Sequence, residues 1–404
     1  MKHVVLLGDG MSDYPLAERG GRTPLQLSRT PFMDSIAQRG EIGLVKTIPD
    51  NMPPGSDVAN LSVMGYNPSL YYTGRAPIEA ASIGVALGSN DVAFRCNLVT
   101  LSGQDDDLCM EDYSAGHIST EDAQTIIEAL KLELDSADIT FYRGVSYRHL
   151  VVWRNGLDKM ETTPPHDISG RKIADYLPRG EGSAKLLELM YRAQEIVSSL
   201  SVNRVKIEQG LHPANAIWLW GQGRALKVPT FKEKYGLSGS VISAVDLVKG
   251  LGICAGLSPI SVPGATGYLD TNYEGKARAA LEALTSVDFV YLHVEAPDEA
   301  AHKGNIDEKI QAIEDFDGRV VKLILEGLQE AFTDYRVLVL PDHPTPISLK
   351  THSADPVPFA LFSSTDRSMR KNASRRFTEK DAGQSGLFIK DGWELMDRFI
   401  KAES

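Results

Sequence analysis

Cysteine is scarce in this sequence, and long hydrophobic runs are missing. The 404 residues include three cysteines, Cys96, Cys109 and Cys254, which show no CxxC or metal-ligand spacing. Such sparse, odd-numbered use of cysteine is typical of a reducing compartment and excludes a disulfide-built scaffold. The apolar run at residues 4–7 is too short for a signal-peptide core, and no run reaches the length of a membrane-spanning helix. We therefore predict a cytoplasmic protein that does not bind membranes.

Dense clusters of basic residues are also missing. The formal net charge is -12, from 54 acidic and 42 basic side chains. Proteins that bind nucleic acids usually present a basic face to the phosphate backbone, so we expect no nucleic-acid partner. A small anionic substrate stays open as a partner, provided that metal ions or local basic residues supply the positive charge.

The composition is otherwise that of an ordinary folded protein. Hydrophobic residues make up 42% and charged residues 24%, and no internal repeat or low-complexity segment occurs. The chain is longer than one ordinary domain, which favours two domains.

Short apolar runs that end in polar turns dominate the outer parts of the chain. They occupy residues 3–7, 287–294 and 336–340. Continuous apolar runs of this kind are typical of strands buried on both faces in a mainly parallel sheet. Helical patterns lie between them, at residues 31–39, 56–64, 274–285 and 306–330. The pattern predicts an α/β protein with a doubly wound sheet covered by helices on both faces, which binds ligands at the carboxyl ends of its strands.

The middle of the chain has a different pattern. Between about residues 90 and 235, runs such as LVVW (150–153) and IWLW (217–220) are separated by turns and proline-rich stretches. The residues suited to chemistry occur before this part and after it. We therefore predict a smaller α+β domain, residues 91–235, inserted into a discontinuous domain formed by residues 1–90 and 236–404.

Asp298 and His302 form the first candidate metal-binding pair. They lie four residues apart after Pro297, so a helix starting there places both side chains on one face. An Asp and a neutral imidazole in that position can bind one divalent cation. The alternative is a pair on a solvated helix surface, which is common.

Asp342 and His343 follow the run at 336–340 directly, and His352 comes nine positions later. Burial of an acid and a histidine at a strand end is costly unless a charged group compensates, which favours a metal ion. The alternative is a hydrogen-bonded pair that caps a loop. Asp9 follows the first strand; alone it is an ordinary turn aspartate, but its place at a strand end adds it to the candidate ligands.

Ser56 is the candidate nucleophile. A turn at Pro53, Pro54 and Gly55 precedes it, and it begins a helix that ends near Gly65. Helix N-termini favour anions such as phosphate, and a cation or base can activate a serine hydroxyl. The alternative is an ordinary N-cap serine.

The candidate residues together suffice for a two-metal site. Three Asp, three His and one Ser can hold two divalent ions around an in-line phosphoryl displacement. Mixed carboxylate and imidazole ligands without thiolate favour Mn²⁺ or Zn²⁺ over Ca²⁺.

These motifs resemble the alkaline phosphatase superfamily and, within it, the archaeal-type 2,3-bisphosphoglycerate-independent phosphoglycerate mutases. The resemblance covers nearly the whole chain. The matching segments are LLGDGMSD (6–13), TPLQLSRTPFMDSIAQRGEIG (23–43), PPGSDVANLSVMGY (53–66), GRAPIEAA (74–81), YRHLVVW (147–153), PANAIWLWGQG (213–223), ISAVDLVKGLG (242–252), HVEAPDEAAHKG (293–304) and LPDHPTP (340–346).

The resemblance implies two divalent metal ions and no bisphosphoglycerate. Mn²⁺ is the favoured ion, with Zn²⁺, Co²⁺ and Mg²⁺ as alternatives. The implied ligands of one ion are Asp298, His302 and His352, and those of the other are Asp9, Ser56, Asp342 and His343, with Ser56 also forming a transient phosphoserine. The implied fold is an alkaline phosphatase-like domain interrupted by a smaller domain that binds substrate. Candidate substrate-binding residues are His117, Arg148 and Arg171, with Lys249 from the larger domain.

The activity implied by the resemblance is interconversion of 3-phosphoglycerate and 2-phosphoglycerate, a step of glycolysis and gluconeogenesis. The longer bacterial mutases carry Asn-Ser-Glu at the nucleophile, whereas this chain has Gly55-Ser56-Asp57, as in the shorter archaeal-type branch. The alternative is a metal-dependent phosphotransferase to another small hydroxyl acceptor such as homoserine, since any hydroxyl acceptor would use the same metal and nucleophile residues. A phosphatase and a binding protein with a dead site are weaker alternatives, and the sequence does not indicate an oligomeric state.

Overall fold

The computed structural model describes residues 1–104, 107–366 and 372–401, which contain both strands and helices. The strands are β1 (Lys2–Gly8), β2 (Glu41–Val45), β3 (Val92–Ser102), β4 (Cys109–Asp112), β5 (Ile139–Val145), β6 (Arg148–Trp153), β7 (Met160–Glu161), β8 (Arg179–Gly180), β9 (Ala216–Arg224), β10 (Gly239–Ile242), β11 (Ser258–Ile260), β12 (Phe289–Val294), β13 (Tyr335–Leu340), β14 (Val357–Ser363) and β15 (Phe388–Ile389). The α-helices are α1 (Pro24–Leu27), α2 (Pro31–Arg39), α3 (Ser56–Val63), α4 (Pro68–Tyr71), α5 (Arg75–Ser82), α6 (Thr120–Leu134), α7 (Ser183–Ser198), α8 (Ser201–Glu208), α9 (Phe231–Tyr235), α10 (Asp246–Cys254), α11 (Tyr273–Leu284), α12 (Ala296–His302), α13 (Ile306–Phe316), α14 (Lys322–Ala331), α15 (Glu379–Gln384) and α16 (Glu394–Lys401). Within the described ranges, none of these helices has both the length and the apolar character that crossing a bilayer requires.

The chain divides into two compact units. The first unit consists of Met1–Tyr72 and Lys227–Ser404, and the second of Thr73–Leu226. The division falls nearer the N-terminus at both ends than the boundaries at 90/91 and 235/236 that the sequence suggested. Helix α5 belongs to the second unit because it packs against β3 and β9.

The first unit is built on an eight-stranded sheet with the order β11-β10-β12-β1-β13-β14-β2-β15 among the described residues. Every neighbouring pair is parallel except those of β14, which runs antiparallel to both β13 and β2. The predicted α/β fold class with a doubly wound sheet is confirmed.

Helices cover both faces of this sheet. Val4 and Leu6 of β1 belong to a buried apolar cluster that includes residues of α2, α11, α13 and α14. The opposite face of the sheet contacts α16 through the rings of His3 and Phe399, whose centroids are 5.5 Å apart. Strands buried on both faces must be apolar throughout, which explains the continuous runs in the sequence.

Register brings three strand ends of the first unit together. Gly8 of β1 pairs with Val294 of β12, and Leu7 pairs with Leu340 of β13. All three strands are parallel, so the segments that follow them leave the sheet at the same edge. The segments that carry Asp9, Asp298 and Asp342 therefore begin side by side.

The second unit has its own sheet around the long strand β3. This strand pairs antiparallel with β4, β6 and β9, and β6 pairs with β5. Phe94, Cys96 and Leu98 of β3 belong to a buried cluster that includes residues of α6 and α7. Ala93 on the other face lies in a smaller cluster with Ala76 and Ala80 of α5.

A buried carboxylate caps helix α2 from outside the helix. Thr30, the N-cap residue, makes no side-chain cap bond. Instead Asp317, in the π-helical turn between α13 and α14, accepts hydrogen bonds from the backbone N–H groups of Phe32 (3.2 Å) and Met33 (2.7 Å). Burial, with smaller contributions from Asp34 and Glu314, raises the pKa of Asp317 to about 7.

Asp317 is expected to make the free energy of unfolding depend on pH. Its folded pKa lies above its unfolded value near 3.8, so its contribution to stability is present at low pH and is lost as the pH rises toward about 7. Asp317→Asn keeps an acceptor but cannot ionise. We expect the stability of the variant relative to wild type to rise by about 2 to 3 kcal/mol between pH 5 and pH 8. Urea unfolding at both pH values measures this, and a constant difference between the two proteins would contradict it.

Candidate metal centre and nucleophile

Five of the predicted ligands form two overlapping groups at the common strand edge. Asp9, Asp342 and His343 make up the first group, and Asp298, His343 and His352 make up the second. In each group the candidate ligand atoms lie within 4.8 Å of one another. In the first group, His343 Nε2 lies 3.4 Å from Asp342 Oδ2 and 3.6 Å from Asp9 Oδ1. His343 therefore connects the two groups.

His302, the remaining predicted histidine, adjoins the second group. Its Nε2 lies 3.1 Å from Asp298 Oδ2 and 3.1 Å from His352 Nε2. Its other ring nitrogen, Nδ1, is 2.9 Å from the carbonyl oxygen of Lys350 and donates to it. Two imidazole nitrogens that face each other and a carboxylate need a shared proton or a cation between them.

His302 and Asp298 of this cluster share a proton, and a metal ion bound there would replace that proton. Burial lowers the pKa of His302, but the hydrogen bond and charge of Asp298 outweigh it and raise that pKa to about 9. Conversely, burial raises the pKa of Asp298, while hydrogen bonds from His302 and His352 hold it well below its usual value. The group therefore carries a proton where a cation fits, and metal binding has to release it.

Asp9 is the residue whose environment fits a metal ion best. It is buried, and its Oδ2 accepts a hydrogen bond from His293 Nε2 at 2.9 Å. Its Oδ1 has no hydrogen-bond partner among the described residues. Burial and the nearby charges of Asp342 and Asp298 raise the pKa of Asp9 well above its usual value. Three buried carboxylates this close together need a proton or a cation to compensate their charge, so the residues present fit a divalent metal.

Ser56 lies next to this site, at the first residue of α3. Its Oγ is 3.0 Å from His343 Nε2. Burial lowers the pKa of His343, so its ring is neutral and can accept the serine proton. Asn60, one turn along α3, donates to Asp342 Oδ2 (2.8 Å) and to the carbonyl oxygen of Ser56 (2.8 Å). The Asn60 side chain thus links helix α3, which carries Ser56, to the candidate ligand Asp342.

Three of the residues that support this site were not predicted from the sequence: His293, Asn60 and Thr345. His293 resembles one more residue of an apolar strand, and Thr345 resembles a loop residue between two prolines. Asn60 could have been found, because its spacing of four residues from Ser56 on a helix places both side chains on one face. The contacts of His293 with Asp9 and of Thr345 with Asp298 depend on how distant segments pack together.

Two arginines of the second unit, Arg148 and Arg95, lie against aromatic rings. The Arg148 guanidinium lies 5.1 Å from the centre of the Tyr147 ring, and the His117 ring contacts the same tyrosine at 6.0 Å. Arg95, which was not predicted, is 5% exposed, pairs with Glu79 at 2.9 Å and stacks on Trp220 at 4.3 Å. Its pKa is lowered to about 10 by burial, despite Glu79, with Arg75 and Arg148 adding repulsion.

The other two predicted substrate residues have local partners. Arg171 is exposed and donates to the hydroxyl of Tyr176 at 3.2 Å. Lys249 on α10 of the first unit lies 3.2 Å from Asp246 Oδ1. Their roles in substrate binding stay predictions.

Acids and imidazoles at the ends of parallel strands, beside a serine at a helix N-terminus, are typical of metal-dependent phosphoryl-transfer enzymes. The sequence pattern of the family described as 2,3-bisphosphoglycerate-independent phosphoglycerate mutase matches residues 37–203. A probable enzyme of that name from Geobacter sulfurreducens is 56% identical over 400 residues, which cover 99% of this chain and 100% of the relative. The enzyme of that name from Methanosarcina mazei is 53% identical over 403 residues, covering 100% of both chains.

The fold also has a close counterpart among solved structures. A protein from Pyrococcus horikoshii superposes with a TM-score of 0.83 at 27% identity, covering 99% of this chain and 96% of that one. The chain belongs to the family of 2,3-bisphosphoglycerate-independent phosphoglycerate mutases. The resemblance found in the sequence motifs is therefore confirmed.

Proposed function

We propose that the protein interconverts 3-phosphoglycerate and 2-phosphoglycerate through a phosphoserine at Ser56. The observation that carries the proposal is the position of Ser56 Oγ, 3.0 Å from Nε2 of His343, the histidine that belongs to both ligand groups. The names of the similar enzymes from two organisms support the substrate.

The proposed ligands divide between two divalent ions, with Mn²⁺ favoured. Asp9, Asp342, His343 and the Ser56 oxygen would hold one, and Asp298, His302 and His352 the other. Such ions lower the pKa of a bound hydroxyl and neutralise the charge of a transferring phosphoryl group. The positive potential at the N-terminus of α3 favours phosphate oxygens in the same place.

The chain's own residues then carry out two displacements. The Ser56 hydroxyl gives up its proton, and its oxygen forms a bond to phosphorus while the bond from phosphorus to one glycerate oxygen breaks. Glycerate takes up a proton at that oxygen and is retained. Its other hydroxyl next loses a proton and attacks the phosphoserine. The bond from phosphorus to Ser56 Oγ breaks, and that oxygen takes up a proton, which restores Ser56. Water must be excluded throughout, because water in place of glycerate would make the enzyme a phosphatase.

The second unit is proposed to supply cationic groups for the substrate. A phosphoglycerate carries a carboxylate as well as a phosphate, and guanidinium groups can hold two oxygens of either at once. Arg148, stacked on Tyr147, and the neighbouring Arg95 suit this role better than a flexible lysine would.

Replacement of Arg148 tests that role. We expect Arg148→Ala to lower kcat/KM by roughly 100-fold, as loss of a charged hydrogen-bonding partner does, and to leave metal content unchanged. Arg143→Ala is the matched control, because Arg143 lies nearby in sequence on β5 and is exposed and paired with Glu128 at 2.9 Å. Equal activity in the two variants would remove Arg148 from the substrate site.

The activity itself can be measured directly. Mn²⁺-loaded protein is incubated with 3-phosphoglycerate alone and then with added homoserine, and phosphorus NMR follows all products. We expect 2-phosphoglycerate to form at the same rate in both reactions, with little inorganic phosphate. Rapid phosphohomoserine formation with negligible 2-phosphoglycerate would show a different acceptor, and phosphate release alone would show a hydrolase.

A further inference from the structure

The hydroxyl group of Thr345 lies between the two candidate ligand groups. Thr345 is fully buried, and its Oγ1 hydrogen-bonds to Asp298 Oδ1 and lies 3.2 Å from His343 Nδ1. Asp298 belongs to one group, and His343 is the residue that both share. We propose that Thr345 is a positioning residue that places the ring proton of His343 on Nδ1 and couples the two metal sites, an inference that rests on the proposed function.

The direction of each hydrogen bond follows from the number of protons available. An ionised carboxylate can only accept, so the single hydroxyl proton of Thr345 is directed to Asp298. The Thr345 oxygen then accepts from His343 Nδ1. A neutral imidazole carries one ring proton, so Nε2 of His343 is left with a lone pair. That nitrogen faces the Ser56 hydroxyl, and it is the form that can bind a metal ion or accept a proton.

The main chain of Thr345 is held in place from two sides. Its N–H donates to the carbonyl oxygen of Ser12 at 3.2 Å, and its own carbonyl oxygen accepts from the buried Lys309 ammonium at 2.9 Å. Lys309 also pairs with Asp13 at 2.8 Å. The hydroxyl therefore has a set position, because the backbone that carries it is tied to the segment following β1.

Gly10 also shields the hydrogen bond between Thr345 and Asp298 from water. Gly10 passes directly over it with φ +61°, and a Cβ there would stand 2.6 Å from both Asp298 Oδ1 and Thr345 Oγ1. A hydroxyl enclosed in this way cannot exchange its partners for water. Outer partners of this kind fix the tautomer and orientation of a metal-binding histidine, and their loss usually costs 10- to 100-fold in metal affinity.

The decisive experiment removes the hydroxyl while keeping the shape of the side chain. Thr345→Val removes the hydroxyl, and Thr345→Ser restores it. Thr47→Val is the matched control, because Thr47 is equally buried but donates to the main-chain carbonyl of Asp342. The tautomer of His343 is read from long-range proton–nitrogen NMR spectra of the metal-free, histidine-labelled proteins, with the His343 signals assigned by their loss in His343→Gln. Mn²⁺ titration then gives the affinities.

Wild type, Thr345→Ser and Thr47→Val are expected to carry the His343 proton on Nδ1. In Thr345→Val the form protonated on Nε2 should become populated, and both ions should bind roughly 10- to 100-fold more weakly. An Nε2 proton in wild type, or unchanged affinities in Thr345→Val, would overturn the proposal. If Thr345→Val does not fold, the proposal is still tested by the His343 tautomer of the wild type and by the tautomer and Mn²⁺ affinity of Thr345→Ser. If the protein shows this tautomer and this change in metal affinity but has no mutase activity, the proposed function is refuted and the role of Thr345 is not.

Discussion

Ser56→Ala is expected to fold and to bind metal, but to lose phosphoryl transfer by a factor of about 10⁴ or more. The hydroxyl is the atom proposed to form the covalent bond, so removing it leaves only the catalysis that comes from binding and charge neutralisation. The measurement is the rate of 2-phosphoglycerate formation by the Mn²⁺-loaded variant. Wild type quenched during turnover should carry phosphate on Ser56 in a mass spectrum of its peptides.

Ser12→Ala is the matched control for this variant. Ser12 follows Asp9 closely and is 1% exposed, but its Oγ has no hydrogen-bond partner among the described residues, whereas Ser56 Oγ lies 3.0 Å from His343. We expect Ser12→Ala to retain most of the activity. Full activity in Ser56→Ala together with its loss in Ser12→Ala would transfer the nucleophile to Ser12.

His302→Ala and His343→Ala are expected to lower the number of bound Mn²⁺ ions. Wild type should bind two ions per chain and His302→Ala about one, because Asp298 and His352 alone leave the second ion short of its proposed ligands. His343→Ala should bind at most one ion, because Asp9, Asp342 and Ser56 alone leave the first ion short of its proposed ligands. Either variant should lose activity by at least 10³-fold, as expected when a two-metal site loses an ion.

Elemental analysis after gel filtration measures these numbers. His212→Ala is the control, because His212 is an exposed histidine of the second unit and should leave two ions bound. Metal affinity should also fall as the pH falls, since protons compete for the imidazoles and His302, with its pKa near 9, holds its proton firmly. Two ions bound in His302→Ala and His343→Ala would refute the ligand assignment.

The candidate site shows why sequence reasoning reaches some functional residues and misses others. Asp298 and His302 are four residues apart on one helix, and Asp342 and His343 are adjacent, so local geometry predicts that each pair acts together. His293 and Thr345 contact candidate ligands that are distant in sequence. His293 reaches Asp9 across 284 positions, and Thr345 reaches Asp298 across 47. Residue type and local pattern contain no signal for such contacts.

The second unit gives a similar result. His117 and Arg148 were predicted from the family resemblance, and both contact Tyr147. Arg95 lies in an apolar run of β3, where an arginine is unusual. Its contact with the ring of Trp220 becomes visible only when β3 is paired with β9. The boundaries of the unit also depend on packing, because α5 packs against the sheet formed by β3 and later strands.

The sequence by itself determined the α/β class and the mutase family, and it predicted the residue types of the candidate site. Those properties follow from apolar periodicity and from short motifs, which are encoded locally. Only the tertiary structure decided that Gly8, Val294 and Leu340 end their strands side by side, and that His343 lies between two carboxylate groups and Ser56. The physical reason is that strand order, strand register and the contacts of His343 depend on segments that are hundreds of residues apart. A local sequence pattern contains no information about such contacts.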